Sequence, residues 1–522
     1  MQTQVNAKYD MLIQRILEVI PGLLIWILLL SPFWLGYSFP IVIINLLVVL
    51  SVYWVYRAVL LSIGSVIGYI EYSRAMNTDW LKKCLKLQKS ELPDPQNLPK
   101  DGLLPKQLIV IANYGEDYEV LTRSIKALMN QSYPKELIYV AVSIEERKAK
   151  RDTDYAKRGE YLKRDFEEFF GDRIMCFTHP ENIPGEAIGA ASNRTWGTKN
   201  SIKAIKEKGL DISEFIVTAP DGDLVFDKQF LAAMSYKWLV SEKRNQKFYQ
   251  TALYTFNNNY WDVPILVRIL MVSLTLPVLS SSVIEKTKRE TWSCFSLNLK
   301  VMEDVNFWDT SLSVGADDTT FYWRPYFHFH GDWFCEVFFI PLSADAIYHS
   351  NYFRNHIDQY KQYVRWGWGV ITFPLAIKQL IYDKNIKFTE KFLKIYHLLS
   401  VFVFWKVLAF LILIGIPLVF LINPELSRQI ISVTVPQTVS NLLTLSTILL
   451  IPNTIIKLLI IPPKPKKLNK LRYIIILLAE IPLNIISLFT FGFLPFIEAP
   501  TKMMFGKQNS KVVSWSEKTI AR

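Results

Sequence analysis

The stretch FIVTAPDGDLVF, residues 215–226, joins an apolar segment of strand length to two aspartates that stand one residue apart. Similar apolar segments, QLIVIA and LIYVAV, lie upstream, and segments with helical periodicity such as YEVLTRSIKALMNQ alternate with them. Apolar strands alternating with amphipathic helices predict an α/β domain with a mostly parallel sheet covered on both faces. Asp221 and Asp223 would then lie at the carboxyl edge of the sheet, where open α/β sheets bind ligands.

Strongly apolar regions flank this domain, which extends from about Asp101 to Asp383 and is expected to be soluble. The chain has 522 residues, of which 51% are apolar. No charged residue occurs from Val19 to Tyr56, a run long enough for two membrane helices of about 20 residues each with a turn near Gly36. Three further apolar stretches follow the domain, at residues 398–422, 429–456 and 473–497. The last contains Glu480, Pro482 and Asn484, which favour a re-entrant or hairpin-like segment.

Basic residues are concentrated beside the apolar regions. They are Arg57, Arg74, Lys82, Lys83, Lys86 and Lys89 on the N-terminal side, and Lys464, Lys466, Lys467, Lys470 and Arg472 on the C-terminal side. The positive-inside rule predicts an integral protein of the cell inner or plasma membrane with its α/β domain in the cytoplasm. This bias, together with attraction to anionic lipid, explains most of the net charge of +12. No nucleic-acid partner is expected, since the basic residues accompany no aromatic platform or binding motif.

Two carboxylates as close as Asp221 and Asp223 repel each other unless a positive charge lies between them. A hard divalent cation, Mg²⁺ or Mn²⁺, is the natural occupant, because it binds a few carboxylates together with the phosphates of a nucleotide. Such a pair alone is more often a solvated turn. Here two more motifs follow: Asp317 and Asp318 in GADDTTFYWR, and Gln362, Arg365 and Trp366 in QYVRWGWG.

A strand-end Asp-x-Asp, a second acidic pair and a Gln-x-x-Arg-Trp motif, in that order before a membrane region, resemble the membrane-bound family-2 glycosyltransferases. This family includes cellulose, hyaluronan and chitin synthases and ceramide glucosyltransferases. The resemblance extends from about Gln107 to Trp368. It implies a GT-A type (nucleotide-diphospho-sugar transferase) domain inserted between transmembrane helices, acting as a hexosyltransferase. The expected donor is a nucleotide-diphosphate sugar, most simply uridine-linked, and the expected acceptor is a polysaccharide or a lipid.

The resemblance also implies roles on the donor side. The loop after the first strand would cradle the nucleotide base, with Ala112, Asn113, Tyr114 and Glu116. Glu145 and Glu146 stand where the family usually has an Asp against the uracil, and Glu186 stands where a Lys is common. Asn193 carries over from the family's Gly-Lys-x-x-Ala-x-Asn stretch. Asp221 would contact the nucleotide sugar and, with Asp223, hold Mg²⁺ or Mn²⁺.

On the acceptor side, Asp318 takes the place of the Asp in the family's Thr-Glu-Asp motif and would be the general base, with Asp317 raising its pKa. Attack from the face opposite the leaving group would invert the anomeric centre. Gln362, Arg365 and Trp366 would contact the diphosphate and the acceptor sugar. Alternatively, Arg365 and Trp366 anchor an interfacial helix among lipid headgroups.

The predicted organisation has five parts: membrane helices and a linker at 1–100, the catalytic domain at 101–350, interfacial amphipathic helices at 351–395, a second membrane region at 396–500 and a basic cytoplasmic tail at 501–522. In the tail, Ser516 and Lys518 resemble the synthases' gating loop. Processive polysaccharide synthesis and single addition to a lipid remain alternatives. From another class, a non-catalytic membrane scaffold or transporter subunit with a glycosyltransferase-like domain is also considered.

Overall fold

The computed structural model describes residues 2–312 and 317–507. The chain forms two compact units. The helical unit comprises the residues up to Ile67, Tyr363–Ile461 and residues 481–507. The α/β unit comprises Gly68–Gln362 and Pro462–Glu480. Ser516 and Lys518, the predicted gating residues, lie outside the described residues.

The strands of the α/β unit are β1 Lys106–Asn113, β2 Ile138–Glu145, β3 Ile174–His179, β4 Phe215–Thr218, β5 Val225–Phe226, β6 Lys247–Thr251, β7 Tyr254–Thr255, β8 Ser296–Asn298, β9 Phe334–Phe338 and β10 Leu342–Ser343. Seven of them form one sheet in the order β3-β2-β1-β4-β8-β6-β9, and the others form a small sheet in the order β5-β10-β7. In the large sheet only β8 pairs antiparallel with its neighbours. The prediction of an α/β domain with a mostly parallel sheet is therefore confirmed.

The strand order places a topological switch point beside β1. From β1 the chain moves outward through β2 to β3, and β4 then pairs with the opposite edge of β1. The connections after β1 and β4 consequently diverge and leave a crevice at the carboxyl ends of these two strands. Asp221 follows β4 there and forms an isolated parallel bridge with Ala112 of β1. The predicted position of the Asp-x-Asp pair at this edge is confirmed.

Helices cover the sheet through apolar or small residues. The helices of the α/β unit are Trp80–Leu85, Tyr118–Met129, Glu146–Ala149, Thr153–Ala156, Arg158–Phe170, Ala190–Glu207, Phe230–Leu239, Ile265–Ile284, Leu299–Asp304, Asp317–Phe321 and Trp323–His328. The helix Tyr352–Gly367 contains the division between the two units, and Thr372–Tyr382 belongs to the helical unit. Gly197 lets the helix Ala190–Glu207 approach the sheet closely, since a Cβ there would lie 3.0 Å from the Cβ of Ser143 and 3.2 Å from Cγ1 of Val110. The same approach buries Arg194, one turn earlier in the helix.

Among the described residues, six helices are long and apolar enough to cross a membrane. They are Asp10–Ser38, Pro40–Met76, Ile265–Ile284, Phe388–Ile422, Ile431–Ile460 and Lys470–Met504. The two predicted N-terminal helices are confirmed, with the break at Phe39. The helix Ile265–Ile284 lies inside the segment that the sequence assigned to a soluble domain, and more than half of its most apolar window is buried.

A hairpin at residues 473–497, one of the two predicted forms, is wrong, whereas a re-entrant segment stays a prediction. The chain is helical without interruption from Lys470 to Met504, with π-helical geometry at Leu488–Phe493. Pro482 lies inside the helix, and Glu480 is buried. Polar and helix-breaking residues are tolerated in such helices where protein groups surround them and satisfy the backbone.

Candidate active site

A buried arginine that the sequence did not reveal joins two of the predicted motifs. The side chain of Arg194 is only 1% exposed. Its Nη2 donates to Oδ1 of Asp221 at 2.7 Å, and its Nη1 donates to Oδ2 of Asp317 at 2.9 Å and to Oδ1 of Asp318. The structure thus brings the first aspartate of the Asp-x-Asp pair and both members of the acidic pair to one guanidinium.

The charges in this cluster do not balance, because three carboxylates share one guanidinium. Burial raises the pKa of the Asp318 carboxyl well above its usual range; the Arg194 charge opposes this shift, while Asp317 and Asp221 add to it. Burial works against the charge on Arg194, but its three carboxylate partners hold its pKa above the usual range, so that it remains a cation. Asp318 is therefore a carboxylate with an unusually strong tendency to take up a proton.

Exposure separates the roles of the three carboxylates. The side chain of Asp317 is 6% exposed, that of Asp318 is 18% exposed and that of Asp221 is 43% exposed. Asp317 is thus an internal partner of Arg194, whereas Asp318 and Asp221 are reachable from the crevice. This difference agrees with the prediction that Asp318 is the base and Asp317 its neighbour, which stays a prediction.

Asp223 is held by a different part of the structure. It is 1% exposed, and its Oδ2 accepts a hydrogen bond from the backbone N–H of Asp345 at 2.9 Å. Asp345 in turn pairs with Arg123 at 2.5 Å, and Asn258 donates to the carbonyl of Asp223 at 3.1 Å. The orientation of this carboxylate is therefore fixed by the segment that follows β10.

Asp221 and Asp223 fit a divalent cation by the chemistry of their oxygens. Burial raises the pKa of Tyr254 well above its usual value, and the negative charges of Asp223 and Asp221 raise it further. In the part of the chain that the structure describes, no group of three or more His, Cys, Asp or Glu residues is arranged to hold a metal ion. Two carboxylates match Mg²⁺ or Mn²⁺, which usually takes its other ligands from water and phosphate.

The loop after β1 closes around Glu116. Its Oε2 accepts hydrogen bonds from Nδ2 of Asn113 at 2.7 Å and from the backbone N–H groups of Tyr114 and Gly115 at 3.1 and 3.3 Å. A Cβ at Gly222, between the two aspartates, would lie 3.3 Å from Cδ of Glu116. Glu116 therefore shapes the loop and sets it against the Asp-x-Asp turn.

Asn113 is the centre of a second group of hydrogen bonds. Its Oδ1 accepts from Nη1 of Arg158 at 2.8 Å, and its carbonyl accepts from Oη of Tyr155 at 2.6 Å and from Nδ2 of Asn193 at 3.3 Å. The predicted residues Asn113 and Asn193 are thus in contact. Tyr155 and Arg158 were missed, since they lie on separate helices whose sequence pattern shows only amphipathicity.

The predicted base-contacting residues after β2 are engaged with a histidine. His179, the last residue of β3, lies between Glu145 and Glu186, with Nδ1 at 2.8 Å from Oε2 of Glu145 and Nε2 at 3.0 Å from Oε2 of Glu186. Burial alone would lower the pKa of His179, but the two carboxylates outweigh it and raise the pKa above the usual value. Glu146 accepts instead from the backbone N–H of Glu181 at 2.9 Å.

The residues of the Gln-x-x-Arg-Trp motif lie on the helix Tyr352–Gly367. Arg365 and Trp366 belong to the helical unit, and Gln362 is the last residue of the α/β unit before the division. The rings of Trp366 and Tyr363 are 4.8 Å apart. A Cβ at Gly367 would lie 2.8 Å from the carbonyl oxygen of Pro495, so the end of this helix packs tightly against the helix Leu494–Met504.

No protein-family model matches the sequence, and no curated protein matches it. Among solved structures, it is similar to a mannosyltransferase from Pyrobaculum calidifontis in complex with GDP-Man and Mn²⁺, with 13% identity and a TM-score of 0.41 over 79% of this chain and 99% of the other. It is also similar to S. aureus TarS 1–349 in complex with UDP-GlcNAc, with 10% identity and a TM-score of 0.35 over 67% of this chain and 90% of the other.

Proposed function

We propose that the protein is a membrane-integrated, inverting glycosyltransferase that moves a hexose from a nucleotide-diphosphate sugar to a hydroxyl group. The observation that carries this proposal is the set of carboxylates joined by Arg194, with Asp223 beside it, at the switch point of a mostly parallel sheet. A site rich in carboxylates and open at the carboxyl edge of the strands is suited to a cation and a phosphorylated ligand. The order of the three motifs adds independent support.

In this proposal the donor lies in the crevice between β1 and β4. Tyr114 and Asn113 form the wall after β1, and Asn193 supports that wall through the carbonyl of Asn113. Asp221 and Asp223 would hold Mg²⁺ or Mn²⁺ against the diphosphate. The cation supplies positive charge that stabilises the leaving diphosphate.

Asp318 is the proposed general base. It removes the proton from the acceptor hydroxyl as the oxygen forms a bond to the anomeric carbon, while the bond between that carbon and the diphosphate oxygen breaks. A base is most effective when its pKa is near the working pH, and burial together with Asp317 and Asp221 shifts Asp318 in that direction. Arg194 orients the carboxylates of Asp317 and Asp318, and its positive charge offsets the repulsion between them.

The acceptor is a polysaccharide or a lipid, and the donor nucleotide is most simply uridine. Arg365 and Trp366 would serve the acceptor side, where a guanidinium binds phosphate and an indole offers a flat apolar face to a sugar. The basic residues beside the apolar helices support a cytoplasmic position of the catalytic unit under the positive-inside rule.

The test is a donor screen of the full-length protein in detergent. Uridine- and guanosine-diphosphate sugars are supplied with Mn²⁺ or with a chelator, and released nucleotide is measured. We expect release from at least one donor, its loss in chelator and its loss in Asp318→Asn. Asp304→Asn is the matched control, because Asp304 lies at the end of the helix Leu299–Asp304 and pairs with Lys300 of the same helix. If no donor is bound or turned over, the protein is a scaffold or transporter subunit, and the proposal fails.

A further inference from the structure

The carboxylate of Asp223 is oriented by the segment that follows β10. β10 is antiparallel to β5, with Leu342 opposite Phe226. Continued by three residues, this register places Asp345 opposite Asp223, and the backbone N–H of Asp345 accordingly donates to Oδ2 of Asp223 at 2.9 Å. A hydrogen bond to one oxygen fixes the rotation of a carboxylate, and with it the direction in which the other oxygen points. The position of Asp345 therefore sets the orientation of Asp223.

The side chain of Asp345 is itself held by a charged partner. It is 4% exposed, and its Oδ1 accepts from Nη2 of Arg123 at 2.5 Å. Arg123 lies on the helix Tyr118–Met129, which follows the loop after β1. The next residue of this helix, Ser124, donates from Oγ to the carbonyl of Gly222 at 2.9 Å. Two neighbouring residues of one helix thus hold the Asp-x-Asp turn, Ser124 directly and Arg123 through Asp345.

Side-chain amides fix the main chain before and after Asp345. Asn258 donates from Nδ2 to the carbonyl of Ser343 at 3.1 Å. Asn259 accepts from the backbone N–H of Ala346 with its Oδ1 and donates to the carbonyl of the same residue with its Nδ2, both at 2.8 Å. The chain is thus anchored at Ser343 and at Ala346, and the ion pair anchors the residue between them whose N–H donates to the carboxylate.

This ion pair has a use beyond stability. A buried ion pair is weak evidence for stability, because the free energy of taking two charges out of water can exceed their mutual attraction. Groups that hydrogen-bond to a metal ligand set its orientation, and their replacement typically lowers metal affinity by about 10- to 100-fold. Asp345 contacts Asp223 in this way through its N–H, and Arg123 contacts Asp345.

We infer that Arg123 and Asp345 are positioning residues of the proposed cation site. Their ion pair holds the N–H of Asp345 against Oδ2 of Asp223, so that this carboxylate is oriented before Mg²⁺ or Mn²⁺ binds. The inference rests on the proposed function and deepens it, because it adds two residues that act on the cation through Asp223.

The test measures binding of Mn²⁺ alone to the full-length protein in detergent, from the electron paramagnetic resonance signal of the free ion. The binding that is lost in Asp223→Ala defines this site. Arg123→Met keeps most of the apolar stem and removes the guanidinium, and we expect Mn²⁺ binding at the site to be about 10- to 100-fold weaker. Arg123→Lys should recover most of the affinity, since an ammonium keeps the charge that pairs with Asp345.

Asp345→Asn shows whether Arg123 acts through Asp345. This variant keeps the backbone N–H and removes the charge that pairs with Arg123. If the two residues act as one unit, their replacements share a single loss, so that the double variant should bind Mn²⁺ about as weakly as Arg123→Met alone. Additive losses would mean that the two residues act independently, and they would overturn the inference.

Lys106→Met is the matched control for an effect on stability alone. Lys106 pairs with Glu214 at 2.7 Å, with side chains 17% and 10% exposed, and it begins β1 at the edge of the sheet opposite to Asp223. The melting temperature should fall in both Lys106→Met and Arg123→Met, but Mn²⁺ affinity should fall only in Arg123→Met. Parental affinity in Arg123→Met, or an equal loss in Lys106→Met, overturns the inference and leaves the proposed cation site standing. Equal binding by the parent and Asp223→Ala would instead refute the cation site itself, and the inference with it.

Discussion

Replacing Arg194 by Met should destabilise the α/β unit strongly at neutral pH. Met keeps most of the apolar stem but removes the guanidinium that faces Asp221, Asp317 and Asp318. Removing one partner of a buried ion pair leaves the opposite charge uncompensated and typically lowers the free energy of unfolding by about 3–5 kcal/mol. The side chain is almost fully buried, so water cannot replace the lost contacts, and a loss in this range is expected.

This loss should appear as a large change in the melting temperature. With an unfolding entropy of about 2.1 cal/mol/K per residue, a unit of roughly 300 residues shifts its Tm by about 1.5 °C for each kcal/mol, so that we expect a decrease of about 5–8 °C. The decrease should depend on pH, because the pKa of Asp318 is already raised in the folded parent. A group with a raised folded-state pKa contributes stability below its unfolded pKa and loses it as pH rises through the folded value. Without Arg194 the folded pKa rises further, and the gap between variant and parent should therefore be widest at the highest pH.

The measurement is thermal unfolding of the detergent-solubilised protein, followed by intrinsic fluorescence between about pH 5 and pH 8. Arg324→Met is the matched control, because Arg324 donates to the backbone carbonyls of Val305 and Asn306. Its Tm should change little, and the change should not vary with pH. The Tm of Arg194→Lys should lie between those of the parent and of Arg194→Met, since an ammonium keeps the charge but cannot make the forked contacts of a guanidinium. A Tm of Arg194→Met close to that of the parent at all pH values would refute the assignment of Arg194 as the charge that holds the site together.

The remaining predictions concern single groups. Asp318→Asn should lower turnover by about 10²- to 10⁴-fold with donor binding preserved, while Asp317→Asn should reduce stability more than turnover; the reverse result would make Asp317 the base. Asp223→Ala should abolish the metal dependence of donor binding in calorimetry, and full donor affinity in chelator would contradict the metal assignment. The stability of the parent should fall as pH rises through the raised pKa of His179, and this slope should disappear in His179→Gln; an equal slope in both would exclude His179 as its source.

The placement of Asp221 and Asp223 was predictable from the sequence for a simple physical reason. An apolar run of strand length needs cover on both faces, and the residue that ends it must reach the edge of the sheet. Arg194 was not predictable in this way, because the pattern of a helix shows which face is buried but not which distant groups meet it. The available signal was a basic residue among small ones, with Ala190 and Ala191 before it and Gly197 after it. Such neighbours allow close packing that buries whatever lies between them.

For the membrane helices, the sequence predicted apolar helices but not the groups against which they pack. Apolar composition predicted the two N-terminal helices, but hydropathy does not show what a helix packs against. The helix Ile265–Ile284 is apolar enough to span a bilayer and yet is more than half buried by protein. Conversely, Glu480 and Pro482 predicted a break within residues 473–497. The helix continues there, with Glu480 buried and Pro482 inside it. Both differences arise because packing against other parts of the protein buries apolar and polar side chains alike, and composition does not show this packing.

The departures from the family pattern at Glu145 and Glu186 are coupled through His179. Two carboxylates placed this close would repel each other, and a lone Glu186 would be an unpaired charge beside a buried Glu145. His179 lies between them and bonds to both, so the two carboxylates share one imidazole. The lysine that the family resemblance expects at residue 186 is therefore replaced by a carboxylate that contacts His179, and the buried Arg194 lies eight residues further along. In the proposed mechanism, the positive charge of Arg194 on the helix Ala190–Glu207 acts on the carboxylates Asp221, Asp317 and Asp318. A lysine in the loop at residue 186 would instead meet the diphosphate directly.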